Sequence, residues 1–215
     1  MVRHRLLGRP RGGGERKMSQ TSRVVVLVRH GETEWTKSKQ HTGRQDIPLT
    51  EEGRREAELL RHRLAAWPFS RVLLSPLSRA RDTCVLAGLG DRAEVRPDLM
   101  EWDYGAYEGR TRTDILHERP EWNLWRDGCP QGETAEQVGV RADRIISELR
   151  GIEGDVAIFA HGHLLRVLAA RWVQAPPGFG ERLALSTASV SVLGREHAAE
   201  VLWLWNDVSH LTAGR

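Results

Sequence analysis

Three short apolar runs each end in residues that can bind an anion or attack one. Val24-Val25-Val26-Leu27-Val28 leads into Arg29-His30-Gly31-Glu32-Thr33. Val72-Leu73-Leu74 leads into Ser75-Pro76-Leu77-Ser78-Arg79-Ala80. Asp155-Val156-Ala157-Ile158-Phe159-Ala160 leads into His161-Gly162-His163. Runs of this length and apolarity read as buried strands. In open α/β sheets ligands bind at the carboxyl ends of strands, so Arg29, His30, Arg79 and His161 converge there on one anion pocket. Arginine brings fork-shaped, permanently charged donors. A neutral histidine brings a nucleophilic ring nitrogen, provided that its other nitrogen donates to an acceptor that holds the tautomer. A phosphomonoester fits this equipment: its roughly two negative charges near neutral pH repel a nucleophile until cations neutralise them. Gly31 allows a sharp turn and close approach of a ligand, and Thr42-Gly43 offers a hydroxyl and backbone N–H groups. A leaving alcohol needs a proton. In the stretch Leu99 to Gly109 the residue types alone leave Glu101, Asp103 and Glu108 as alternative donors.

Taken in order, Arg29-His30-Gly31-Glu32, Gly43, Ser75-Pro76-Leu77-Ser78-Arg79-Ala80, Glu101 with Tyr104-Gly105, and His161-Gly162 resemble the histidine phosphatase (phosphoglycerate mutase-like) superfamily. The resemblance implies that His30 attacks phosphorus to give a phosphohistidine. It implies that Arg29, Arg79 and His161 hold the phosphate, and that Glu101 protonates the leaving oxygen and then activates water. The substrate contacts expected beside them are Gly31, Thr36, Thr42, Gly43, Trp102, Tyr104, Arg126, Gly162 and His163. Thr36 stands where the glycolytic mutases carry asparagine, and the segment from Glu101 to Thr134 is short and lacks their paired arginines. Glu101-Trp102-Asp103-Tyr104-Gly105, Trp122 to Cys129 and Gly132-Glu133-Thr134 instead resemble the branch of acid phosphatases and sedoheptulose-bisphosphatases. The expected activity is therefore hydrolysis of small phosphate esters, including sugar phosphates or bisphosphates, with Arg126 meeting a second anionic group. The alternatives are a phosphoglycerate mutase and a non-catalytic binding protein; the presence of all five catalytic candidates disfavours the latter. His161 and His163 suggest zinc by spacing, but no third ligand accompanies them. No metal and no cofactor is expected.

Positioning these residues requires alternating strands and helices. Further strands are expected at Ala93 to Arg96, Ala188 to Leu193 and Glu200 to Trp205. Thr50 reads as the N-cap of a helix whose face carries Ala57, Leu60, Leu64 and Trp67, ended by Pro68. Ser75 and Pro76 read as the cap and first residue of a helix running to about Gly88. Residues 34–44 read as a loop, and 114–118 and 121–126 as short helical pieces. Thr134 with Gln137 reads as a capping box opening a helix to Arg150, with Val138, Ala142, Ile145, Ile146 and Leu149 on its apolar face. Leu164 to Val173 is the last helix. The pattern predicts an α/β fold, a three-layer α/β/α sandwich. The resemblance implies the same architecture, a mostly parallel six-stranded sheet with one antiparallel strand.

The 215 residues suit one domain. Residues 1–22 hold six basic residues and one acidic residue. Of the total net charge of +3 they account for +5, leaving −2 for residues 23–215. This Gly- and Arg-rich stretch reads as a disordered tail, with Met18 as an alternative start. The domain itself is not basic, so no nucleic-acid partner is expected. No apolar run has the length of a membrane span, so neither membrane attachment nor any location but the cytoplasm is expected. Cys84 and Cys129 read as free thiols. The last two strands suit either a homodimer edge or an internal position.

Overall fold

The valine run forms the middle of the sheet in the computed structural model, which describes residues 23–212. The expected tail at 1–22 lies outside the described residues. In chain order the elements are β1 (Val25–Arg29), α1 (Glu34–Lys37), α2 (Glu51–Leu64), β2 (Phe69–Leu74), α3 (Ser78–Leu86), β3 (Ala93–Val95), α4 (Arg112–Glu118), α5 (Leu124–Asp127), α6 (Ala135–Arg150), β4 (Asp155–Ala160), α7 (Gly162–Trp172), β5 (Val190–Glu196), β6 (Ala199–Asp207) and α8 (Ser209–Thr212). The sheet order is β3-β2-β4-β1-β5-β6. β3, β2, β4 and β1 run parallel, and β5 is antiparallel to both β1 and β6. β5 is thus the one strand that runs against the rest, as expected.

β1 is apolar at every position before Arg29 because both faces of the sheet are covered. Alternate side chains point to opposite faces. Val25 and Leu27 enter one core with Val138, Ile145, Leu164 and Leu168 from α6 and α7. Val24, Val26 and Val28 enter the other with Leu60, Leu64 and Cys84 from α2 and α3. The result is the three-layer sandwich.

Register then fixes what leaves the sheet. Arg29 lies opposite Ala160 in the parallel pairing of β1 with β4, so His30 and His161 emerge side by side. Leu74 lies opposite Phe159, and the Ser75 N–H donates to the Phe159 carbonyl at 3.0 Å, which brings Ser75 out beside them.

Two local expectations are corrected. The segment 34–44 is not all loop: Glu34–Lys37 is one helical turn, closed by a capping box between Thr33 and Thr36. α3 begins at Ser78 with Leu77 at its N-cap, not at Ser75. The Ser75 hydroxyl accepts from the Leu77 N–H at 3.3 Å and is engaged with His161 at 2.7 Å, so it does not cap the helix. The capping box at Thr134 and Gln137 forms as expected.

Candidate active site

His30 is nearly inaccessible, 3 % exposed, where β1 ends. Its Nδ1 lies 2.8 Å from the carbonyl of Gly31. A carbonyl only accepts, so Nδ1 carries the proton and Nε2 keeps its lone pair. Burial, with the cations of Arg79 and Arg29 close by, holds this imidazole well below the ordinary value of 6.5. The ring is therefore neutral near neutral pH, as a nucleophile must be. The ring of His161 lies 5.2 Å away, centroid to centroid. Burial first, then Arg79, His30 and Arg29, hold it well below 6.5 too. The Ser75 hydroxyl already accepts from Leu77, so its proton is available to His161 Nε2 at 2.7 Å. With Ser75 as the donor in this contact, the His161 proton lies on Nδ1.

The two arginines are anchored at their tips. Arg79, fully buried on α3, donates from Nη1 to the Gln45 carbonyl at 2.9 Å and from Nη2 to the carbonyls of Gly43 at 2.9 Å and Thr42 at 3.2 Å. Arg29 donates from Nη1 to the Leu185 carbonyl at 2.5 Å. Its guanidinium lies over Gly162, where a Cβ would stand 3.3 Å from Cζ. Arg29 Nε, Arg79 Nε and His161 Nδ1 are buried and have no partner among the described residues. Buried donors are normally satisfied. Three unpartnered donors from side chains surrounding one neutral histidine are the donor set that an anion's oxygens would take up.

Glu101 is held by backbone. Its Oε1 accepts from the N–H groups of Trp102 and Leu164 at 2.9 Å each, and its Oε2 from that of His163 at 3.0 Å. Two of these donors, the N–H groups of His163 and Leu164, open α7. Oε1 is thus doubly occupied, and Oε2 keeps room to exchange a proton. The other two candidate carboxylates have different partners. Glu108 accepts from the N–H groups of Gly43, Arg44 and Gln45 and so pins the loop whose carbonyls grip Arg79. Asp103 accepts from the Gly105 N–H at 2.9 Å and lies 3.6 Å from Arg44. The geometry separates three carboxylates that residue type left equivalent.

The remaining expected contacts divide. His163 joins the site: the Tyr104 hydroxyl lies 2.6 Å from its Nδ1, and its ring packs edge-on against Trp102 and Tyr104. Burial and Glu101 raise the Tyr104 hydroxyl well above its ordinary value of 10.0, so it keeps its proton beside that nitrogen. Burial, with Arg166 and His41, keeps His163 itself neutral. Gly162 admits the Arg29 guanidinium. Trp102 is fully buried, its indole N–H donating to the Glu133 carbonyl. Gly31 turns the chain, and the space left by its missing side chain is filled by the carbonyl of Gly53 in α2. The Thr36 hydroxyl is used in the α1 cap, and the Gly43 N–H by Glu108. Thr42 contributes its carbonyl to Arg79 rather than its hydroxyl. Arg126 requires a correction. Its guanidinium is 63 % exposed and already bound to the adjacent Asp127 and to the Glu121 carbonyl, which compete with any second anion.

A cavity of about 220 Å³ continues from His163, lined by His41, Arg112, Trp122, Trp125, Arg166 and Glu181 among others. Arg166 lies 4.7 Å from the Trp125 ring centre and donates to the carbonyls of Gly180 and Glu181. Arg112, at the start of α4, is exposed and makes no ion pair among the described residues. Neither arginine was singled out in the sequence, nor were Ser75 as the partner of His161, Glu108 as a loop clamp, or Arg141. Only Arg141 left a trace: it stands three residues after Val138 and four before Ile145, on the apolar face of α6, where an arginine needs buried partners. Among the described residues no three His, Cys, Asp or Glu side chains gather as metal ligands.

The family model of the histidine phosphatase superfamily (branch 1) matches residues 25–208. An acid phosphatase of Mycobacterium tuberculosis is 42% identical over 182 residues, 83% of this chain and 89% of that protein. A sedoheptulose 1,7-bisphosphatase of Saccharomyces cerevisiae is 41% identical over 182 residues, 68% of this chain and 66% of the yeast protein. The solved structure of an open reading frame of Mycobacterium tuberculosis superposes with a TM-score of 0.82 at 40% identity, covering 86% of this chain and 97% of that one.

Proposed function

The chain belongs to the histidine phosphatase superfamily and is a phosphatase, and we propose that it hydrolyses monoesters of small phosphorylated metabolites through a phosphohistidine on His30. The observation that carries this reading is the neutral, buried His30, its Nδ1 tied to the Gly31 carbonyl, among three unpartnered donors. The phosphate oxygens lie on Arg29, Arg79 and His161, which offset the charge that repels the attacking nitrogen. His30 Nε2 forms a bond to phosphorus as the P–O bond to the alcohol breaks. Glu101 gives its proton to the departing oxygen, and the Gly31 carbonyl stabilises the positive charge gained by the ring. Water then attacks phosphorus, loses a proton to Glu101 and displaces His30, which returns neutral.

The alcohol portion enters the cavity beyond His163, between Trp122 and Trp125. An anionic group on it would meet Arg112, which stands at this cavity where Arg126 does not. A bisphosphate, the substrate class in the yeast relative's name, carries such a second anionic group. Phosphate release from a panel of phosphorylated metabolites tests the reading. Sugar phosphates and bisphosphates should be hydrolysed, with no net interconversion of phosphoglycerates. Interconversion faster than phosphate release would make the chain a mutase instead.

A further inference from the structure

Arg141 of α6 spends all its donors on one target. Nε and Nη2 form a fork with the two oxygens of Glu133, each at 2.7 Å. Nη1 donates to the carbonyls of Asp98 and Met100 at 2.8 Å each, and Nη2 reaches that of Glu101 at 3.4 Å. Glu133 completes the hold by accepting from the Asp103 N–H at 2.9 Å. The pair therefore grips the backbone on both sides of Glu101, while α7 holds its carboxylate from the front. Arg141 is only 8 % exposed. A buried ion pair is a poor device for stability, because its attraction is largely offset by the loss of hydration. Its yield here is position: three carbonyls in a segment without a ladder of its own, fixed by a planar fork that lysine cannot reproduce.

We propose that Arg141 and Glu133 are positioning residues for the reaction, holding the Glu101 loop so that its carboxyl reaches the leaving oxygen. This rests on Glu101 being the proton donor. The test compares an alkyl phosphate, whose leaving group needs a proton, with an aryl phosphate that leaves unaided. In kcat/KM, which reports formation of the phosphohistidine, Glu101→Gln should lose roughly 10²–10⁴-fold on the alkyl ester and far less on the aryl ester. Arg141→Lys should show the same selective pattern, about 10²-fold on the alkyl ester, the scale of a misplacement near 1 Å. Glu133→Gln keeps the shape of the fork and should show a smaller loss of the same kind, which carries the test if Arg141→Lys does not fold. In the double variant Glu101→Gln with Arg141→Lys, the alkyl rate should fall no further than in Glu101→Gln alone, because the two act on one step. Equal losses on both esters, or additive losses in the double variant, would overturn the proposal and leave Arg141 a part of the core. If Glu101→Gln itself shows no leaving-group dependence, the fault lies with Glu101 as donor and the proposal falls with it. If only Glu101→Gln shows the dependence, the positioning role alone is wrong.

Discussion

His30, His161 and His163 are each held well below the ordinary imidazole value, with loss of hydration as the first cause and neighbouring cations as the second. Two consequences follow for pH. The nucleophile stays neutral in mildly acidic solution, so kcat/KM measured from about pH 4 to pH 8 should show no enzyme limb near 6.5. A titration near 6.5 that persists after allowing for the second ionisation of the substrate, near 6, would contradict a buried neutral His30. Stability moves the other way. The unfolded chain protonates these histidines near 6.5, whereas the folded chain does so only at lower pH. Below 6.5 the unfolded state therefore binds more protons, and stability falls as pH drops towards the folded values. Urea midpoints at pH 7 and about pH 5 should differ in that direction, and His30→Gln should reduce the difference. At this scale the sequence was legible where chemistry needs a particular side chain at a strand end, as at Arg29, His30, Arg79 and His161. Sequence alone makes the Ser75 hydroxyl a helix cap because its other partner, His161, is 86 residues away.

Gly31 looked like a door for a ligand, yet its missing side chain admits the Gly53 carbonyl where α2 crosses the end of β1. Gly31→Ala should therefore overpack this crossing and cost roughly 1–3 kcal/mol of stability, visible as a lower Tm along with lost activity. An unchanged Tm with lost activity alone would return Gly31 to the ligand. β1 and β4 were read within a residue of their ends because a central parallel strand is apolar throughout. α1 was not, because four residues carry no periodicity and its cap shows only in the hydrogen bonds of Thr33 and Thr36. Arg126 sits in a one-turn helix whose own Asp127 claims it, whereas Arg112 opens α4 at the cavity. Arg112→Ala should cut kcat/KM on a sugar bisphosphate roughly ten- to a hundredfold, the scale of a charge-assisted hydrogen bond. It should spare a small aryl phosphate, and Arg126→Ala should spare both. Equal effects of the two variants on the bisphosphate would remove Arg112 from recognition.

The catalytic candidates fall between Arg29 and His161, well after the basic stretch at 1–22. A chain shortened to residues 23–215 should keep its kcat/KM and Tm; a tenfold loss of activity would make the basic stretch at 1–22 part of the enzyme. Cys84 and Cys129 are free and buried, with burial pushing both thiols up to about 12, so neither supplies a thiolate at neutral pH. No helix among the described residues is long and apolar enough to cross a membrane. What the sheet accomplishes is convergence: three strand ends bring the nucleophile, its neutral partner and two cations together, and α6 and α7 bring the carboxylate to them. In the proposed reaction phosphate passes through His30. Enzyme quenched in alkali during turnover and digested for mass spectrometry should carry one acid-labile phosphate, on His30 and on no other residue, and His30→Ala should carry none and release no phosphate. Turnover at the normal rate by His30→Ala, or phosphate trapped on another side chain, would contradict the account.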